Sequence, residues 1–323
     1  MNSFEYANPE SLDEAVALLS KTWGDTEVLA GGTDLVTSLK QELTRPRVVV
    51  SLKNVSGLNA ISNRNNALHI GALTTLKTLL DNKDVQTHFP ALITAASNIG
   101  SAQMQNVGTV GGDLLQRPRC WYFRNGFGLF GTDDGKSLVP DGDNRYHAVF
   151  GNKGPAYYVN PSSFAPALIA LGASVTLQGP KGEREVPVAD FFTTPKSEND
   201  REYVMKSNEI LTGIEIPLNG LRNATYEIRP RRGLDWPMVT ASVAFKAGNT
   251  ASDGRVVLGH VAPVPWHSKK ASDALNGTTL NSEDALRKVG QAAADGASPL
   301  SNNGYKVAQI RVAVVRAIRA ATA

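Results

Sequence analysis

Thr26-Glu27-Val28-Leu29-Ala30-Gly31-Gly32-Thr33-Asp34-Leu35-Val36 reads as a short apolar strand, a two-glycine turn and a helix capped by Thr33 or Asp34. Glycines let backbone approach a ligand closely and turn N–H groups outward. A helix start adds free N–H groups and the positive end of a dipole. Together they suit a phosphate, above all the pyrophosphate of a dinucleotide. An ordinary tight turn gives the same pattern, so the rest of the chain must decide.

The 323 residues are enough for two or three domains, and 41% hydrophobic with 20% charged is a globular composition. No apolar run approaches the roughly 20 residues a membrane helix needs. Met1–Tyr6 lacks a basic start and an apolar core, so no signal peptide is expected. Net charge is +3, and the basic residues are dispersed except for Arg229-Pro230-Arg231-Arg232. A nucleic-acid-binding chain would show a basic stripe with interleaved aromatics, and none is present. Cys120 is the one cysteine, which excludes an internal disulfide, a cysteine zinc site and an iron–sulfur cluster held by this chain alone.

Residues 1–57 read as a compact α/β unit. Ser11-Leu12-Asp13-Glu14 is a capping box, followed by Leu12, Ala15, Val16 and Leu19 at helical spacing. A helix is expected from about Asp34 to Gln41, and Val48–Leu52 as a buried strand. Residues 58–220 form a second unit. It has a strand at Leu68–Ala72, a helix capped by Thr74 or Thr75, and a helix at Pro90–Ser97. A polar stretch follows from Asn98 to Asp113, with Gly100, Gly108, Gly111 and Gly112; it predicts a second loop where backbone meets ligand. Arg117 to Pro155 is irregular, and loops of that length are often functional. Strands are expected at Tyr157–Asn160 and Glu209–Pro217, a helix at Pro166–Leu171, and a hairpin about Gly179-Pro180-Lys181-Gly182. Residues 221–323 give three strands, Thr225–Arg229, Val239–Lys246 and Arg255–Val261, then three helices. The last, Tyr305–Thr322, carries Val307, Ile310, Val314 and Ile318 on one side and reads as a packing helix.

The five histidines show no metal-ligand spacing. There is no Gly-x-Ser-x-Gly elbow, no phosphate loop ending in Gly-Lys and no Gly-x-Gly-x-x-Gly after an early strand. The last absence argues against a Rossmann nicotinamide site. His147 and His260 read as hydrogen-bonded structural residues, and Cys120 as a packed thiol. Two glycine-rich turns without acid–base or nucleophilic machinery fit a protein that binds a cofactor and lets it do the chemistry.

Four motifs in order carry a resemblance: Ala30-Gly31-Gly32-Thr33-Asp34-Leu35, Gln105–Gly112, Pro161–Ala173 with Pro166-Ala167-Leu168, and Ile214-Glu215-Ile216-Pro217. They resemble the FAD-binding subunit of the xanthine dehydrogenase/aldehyde oxidoreductase family of molybdenum hydroxylases. Gln116–Arg124 and Asn144–Gly151 are similar, more narrowly, to the medium subunit of bacterial three-subunit aldehyde oxidoreductases. The resemblance implies an α+β fold. A two-subdomain FAD domain of vanillyl-alcohol-oxidase type is followed by a C-terminal domain with a three-stranded antiparallel sheet and helices. It implies FAD as cofactor and two partners, a molybdenum-cofactor large subunit and a [2Fe–2S] small subunit. Electrons would leave through the FAD to an external acceptor. The compartment implied is the cytoplasm, or the periplasm by co-export with a signal-bearing partner.

By the same resemblance, backbone N–H groups of Leu29, Ala30, Gly31, Gly32, Thr33, Asp34 and Leu35 hold the pyrophosphate. Ile99, Gly100 and Ser101, with Thr109, Gly111, Gly112 and Asp113, lie along the ring and ribityl parts. Ile210 or Leu211 packs near the flavin. Four positions depart from the family pattern: Asp113 for Asn, Asn160 for His, Ser163 for Asp, and Glu227 for Lys. A carboxylate near the cofactor disfavours phosphates and reduced anionic flavin. The same region in related proteins holds a [4Fe–4S] cluster through several cysteines, and with Cys120 alone no such cluster is expected. These departures leave an alternative: a non-catalytic structural or assembly subunit that has lost its cofactor function. A stand-alone flavin oxidase lacks any candidate acid or base.

Overall fold

The computed structural model describes residues 1–231 and 235–323, a mixed α/β chain built on three main sheets. Arg232, from the basic cluster noted above, lies outside the described residues. The first sheet holds three parallel strands in the order Glu5–Ala7, Val48–Ser51, Thr26–Leu29. Parallel neighbours need crossovers, and the helices Leu12–Ala17 and Leu35–Lys40 occupy them. Ser11 and Glu14 form the expected capping box. Ala15 and Val16 pack on Val50 and Leu52.

The second sheet is five-stranded and antiparallel, in the order Ile61–Arg64, Ala67–Gly71, Ile210–Pro217, Ser174–Gly179, Gly182–Pro187. Strand Ser174–Gly179 alternates strictly between buried and half-buried side chains, as a strand with one covered face should. Helices Leu76–Asp81, Pro90–Ser97 and Ala165–Leu171 share the core of this sheet. Ala165–Leu171 is buried along its whole length and stops at Gly172 in the left-handed region, φ 76°.

The third sheet runs Arg222–Ile228, Val239–Ala247, Ala251–Gly259, Trp266–His267. It therefore has four strands, not the three expected. The added strand is two residues long, too short to leave a period in the sequence; Trp266 is also fixed by stacking on Phe150 at 4.9 Å. Helix Tyr305–Thr322 lies on this sheet and buries Ile310, Val314 and Ile318. Asn223 ties the second and third units together: its Oδ1 accepts from the Ala91 amide and its Nδ2 donates to the His88 carbonyl.

Two expectations change. Tyr157–Asn160 is not a strand; its segment is held by single bonds, Ala148 N–H to Tyr157 O and Asn160 N–H to Ala262 O. The glycine-rich stretch after Asn98 is not a loop. It contains two six-residue helices, Ala102–Val107 and Val110–Leu115, capped by Ser101 and Thr109. One and a half turns show no apolar period, and Gly108, Gly111 and Gly112 mask them as breakers.

Candidate cofactor site

The strand Thr26–Leu29 ends at the two-glycine turn, and a cleft opens there between the first and second sheets. It is lined by Ala30 through Leu35, by Thr109, Gly111 and Gly112, and by Ile210 and Leu211. The fold thus brings together three segments far apart in sequence. Trp23 and Tyr203, edge to face at 5.9 Å, close one side. Gly31 cannot be any other residue in this geometry: a Cβ would sit 1.7 Å from the Val107 carbonyl oxygen. Gly32 has φ 75°, which favours glycine.

Among the described residues, the backbone N–H groups of Gly31, Gly32, Thr33 and Asp34 have no acceptor within the chain. Helix Leu35–Lys40 begins at Asp34, but neither Thr33 nor Asp34 caps it with a side chain. This corrects the expected cap. The Asp34 carboxylate is instead taken by three groups of the irregular segment: the Arg117 amide at 2.8 Å, Arg119 Nη1 at 2.8 Å and Arg124 Nη2 at 3.0 Å. Arg124 also donates to Ser38 Oγ and to the carbonyls of Pro118 and Arg117. Asp34 therefore presents little net negative charge to the cleft.

Arg117 and Arg201 line the cleft, with Glu202 on Arg117 Nε at 3.2 Å and Glu27 near Arg201 at 3.7 Å. Burial opposes the charge on Arg117, and Glu202, Tyr203 and Glu27 outweigh it, leaving the guanidinium more basic than usual. Burial and the neighbouring Arg117 lower Arg201. Burial brings Arg119 down to about 10, against the pull of Asp34. These arginines were not singled out as site residues in the sequence. Within Trp121–Arg124, Phe123 is buried and Arg124 points inward. Asp34 was the available signal: a carboxylate in a phosphate turn needs cations near it.

The second glycine turn works differently from the first. Its amides are used internally: Gly111 N–H to Ala72 O, Gly112 N–H to Thr109 Oγ1, Asp113 N–H to Thr109 O. It contributes close approach rather than donors, since a Cβ on Gly111 would lie 2.8 Å from Ala72 O.

The remaining sequence candidates lie outside the residues lining this cleft: Leu29, Ile99, Gly100, Ser101, Asp113, Ser163 and Glu227. Ser101 caps Ala102–Val107. Asp113 turns toward the segment before helix Ala165–Leu171, accepting from Ser162 Oγ, the Phe164 amide at 3.1 Å and the Ser163 amide at 3.5 Å. Burial raises its pKa against those bonds. Glu227 is held by both Arg229 Nε and Nη2, at 3.0 and 2.7 Å. Burial raises its pKa too, with Arg229 opposing and Asp113 adding. Neither carboxylate is a free anion.

Residues 2–219 match the family model described as FAD binding domain in molybdopterin dehydrogenase. The chain belongs to that family. Residues 224–321 match the CO dehydrogenase flavoprotein C-terminal domain. The medium chain of carbon monoxide dehydrogenase from Hydrogenophaga pseudoflava is 29% identical, covering 99% of this chain and 97% of its own. The aldehyde oxidoreductase FAD-binding subunit of Escherichia coli (strain K12) is 28% identical over 85% of this chain and 87% of its own. A carbon monoxide dehydrogenase structure from Hydrogenophaga pseudoflava superposes with a TM-score of 0.78 at 27% identity, covering 99% of this chain and 98% of the other. Relatives also include a xanthine dehydrogenase FAD-binding subunit from Escherichia coli O157:H7. The family member described here is thus an FAD-binding oxidoreductase subunit. The first cleft fits that cofactor: four adjacent unpaired N–H donors at a helix start, with two arginines beside them, match a pyrophosphate. Among the described residues, no helix is long and apolar enough to cross a membrane.

Proposed function

We propose that this chain is the FAD-carrying electron-transfer subunit of a molybdenum-containing aldehyde or xanthine type oxidoreductase. It would receive electrons from a [2Fe–2S] small subunit, with a molybdenum-cofactor large subunit upstream, and pass them to an external acceptor. The carrying observation is the row of unpaired amides from Gly31 to Asp34 in the cleft between the two FAD subdomains. When bound, FAD supplies electron transfer in single or paired steps. The chain's own residues bind and orient it. Ala30–Leu35 hold the pyrophosphate, with Leu29 closing the strand ahead of the turn, Arg117 and Arg201 offset its charge, and Gly111 and Gly112 let the chain pass close by. Ile210 and Leu211 give an apolar wall. Ile99, Gly100, Ser101, Thr109, Asp113, Ser163 and Glu227 complete the site's surroundings, with Asp113 and Glu227 acting through the loops they hold. We divide the chain into FAD subdomains 1–57 and 58–220, of vanillyl-alcohol-oxidase type, and a C-terminal domain 221–323. The three sheets, spanning 5–51, 61–217 and 222–267, support that division. We place the complex in the cytoplasm, or in the periplasm by co-export.

The alternative of a cofactor-free assembly subunit drew on Asp113, Ser163 and Glu227. The partners of Asp113 and Glu227 weaken it, because both carboxylates have structural work. A visible spectrum of the purified, folded chain tests the choice. Oxidised-flavin bands are expected; their absence would favour the assembly subunit. Iron analysis of the same sample should find none, since Cys120 bonds His147 and stands alone among thiols. Activity without any partner subunit would instead make the chain a stand-alone oxidase.

A further inference from the structure

Five charged side chains line the first cleft: Glu27, Asp34, Arg117, Arg201 and Glu209. Four are committed within the chain. Glu27 accepts from Thr44 Oγ1 at 3.1 Å, Asp34 from the Arg117 amide, and Glu209 from Arg184 at 2.8 and 2.7 Å, while Arg117 Nε donates to Glu202. Arg201 is the fifth, and it makes no hydrogen bond among the described residues. Its side chain is only 10% exposed, and the carboxylate beside it, Glu27, is 3.7 Å away. Its nitrogens keep solvent access and open on the cleft. Buried polar groups are nearly always hydrogen-bonded. The five N–H donors of this guanidinium are therefore left for acceptors of a ligand.

The guanidinium is held flat. It lies over the Trp23 ring at 4.8 Å, and Tyr203 meets that ring edge to face at 5.9 Å. Tyr203 in turn stacks on Phe191 at 5.7 Å. Two backbone bonds, Thr193 N–H to Glu202 O and Val204 N–H to Phe191 O, pin the segment that follows Arg201. A planar cation stacked on an aromatic face is pre-organised, so little freedom is lost when it binds.

Its place along the cleft decides what it meets. Gly31 packs on Val107 and borders the second glycine turn. Arg201 stands by Glu27, on the strand that leads into the first turn. The extended chain from Glu27 to Gly31 spans about 13 Å. With the pyrophosphate on the free amides and the flavin toward the second glycine turn, the other half of the dinucleotide runs toward Arg201. That half presents phosphate oxygens, ribose hydroxyls and purine nitrogens, all of them acceptors.

We propose that Arg201, seated on Trp23, grips the adenylate half of the cofactor and makes the cleft select FAD over FMN. This rests on the FAD reading of the same cleft. It has a consequence for loading. ADP carries the adenylate half without a flavin, so it occupies the flavin-free chain and competes with FAD.

Equilibrium titration of the full-length, flavin-free chain tests it, with FAD and FMN followed by flavin fluorescence and ADP by calorimetry. FAD and ADP should bind, and FMN at least about tenfold more weakly than FAD. Arg201→Gln should weaken FAD and ADP about tenfold, the size of one lost hydrogen bond to a charged group, and leave FMN unchanged. Circular dichroism checks the fold. If the Gln variant does not fold, Arg201→Lys keeps the charge and loses the planar fork; it should cost FAD and ADP several-fold and again spare FMN. Equal losses for FAD, ADP and FMN overturn the proposal, because Arg201 would then support the cleft as a whole. Binding of FAD and ADP that is indifferent to the substitution overturns it too, as does wild-type FMN binding as tight as that of FAD. In each of these cases FAD still binds and the FAD reading stands. A folded wild-type chain that takes up no FAD sinks that reading, and the role of Arg201 with it.

Discussion

Arg124 Nη2 lies 3.0 Å from Asp34 Oδ1, across 90 residues of chain, and Arg119 Nη1 reaches the same oxygen at 2.8 Å. The irregular segment is thereby locked onto the phosphate turn. Asp34→Asn keeps an acceptor for the Arg117 amide but leaves two largely buried guanidiniums without their anion. We expect a loss of about 2 kcal/mol in urea unfolding of the flavin-free chain. Flavin affinity should fall several-fold as the turn loosens. Unchanged stability and affinity would show that the lock is dispensable.

Gly31→Ala should be far more damaging than Gly32→Ala. The first places a Cβ against the Val107 carbonyl, so the turn or helix Ala102–Val107 must move. The second meets only side-chain atoms of Val36 and Leu29 and adds the strain of φ 75°, about 1 kcal/mol. Flavin content after purification should drop at least about tenfold for Gly31→Ala, and less for Gly32→Ala. Equal flavin content in the two would contradict the close approach.

Asp113 predicts a pH effect. Its carboxyl ionises near 3.8 when unfolded and higher when folded. The protonated form thus stabilises fully below the unfolded value, and that contribution is lost as pH rises through the folded one. Asp113→Asn retains an acceptor for Ser162 and Phe164 and does not ionise. Relative to wild type, the variant should gain stability from about pH 4 to about pH 7. Denaturation curves at the two pH values measure it, and a constant difference would refute it.

Lys306 gives the opposite slope. Burial lowers it from 10.5 to about 7. Its charged form therefore burdens the fold below that value. Between about 7 and 10.5 the unfolded chain holds a proton that the folded chain lacks, so stability rises with pH there. The slope is at most about 1.4 kcal/mol per pH unit. A neutral amine still has two N–H donors for the Tyr146 and His260 carbonyls. Lys306→Met should flatten this rise in denaturation measured from about pH 7 to about pH 9. A slope equal to wild type would place the titration elsewhere.

Local pattern determined much of this protein. The capping box at Ser11, the helix Pro90–Ser97, the hairpin after Ser174, the helix Tyr305–Thr322 and the two-glycine turn were legible, because each is specified by residues within one or two turns of itself. The order of its motifs also points to FAD. What tertiary structure alone decided is where side chains at long separation meet. Asp34 looked like a helix cap and is an arginine anchor. Asp113 and Glu227 looked like anions facing a cofactor, and each is engaged by its own neighbourhood. Helices Ala102–Val107 and Val110–Leu115 were hidden by their glycines. Side-chain pairing across 49 or 90 residues, as in Asp113 with Ser162 or Asp34 with Arg124, leaves no periodic trace in sequence. It is set by how the three sheets pack, and that packing also decides which amides at Gly31–Asp34 are left free.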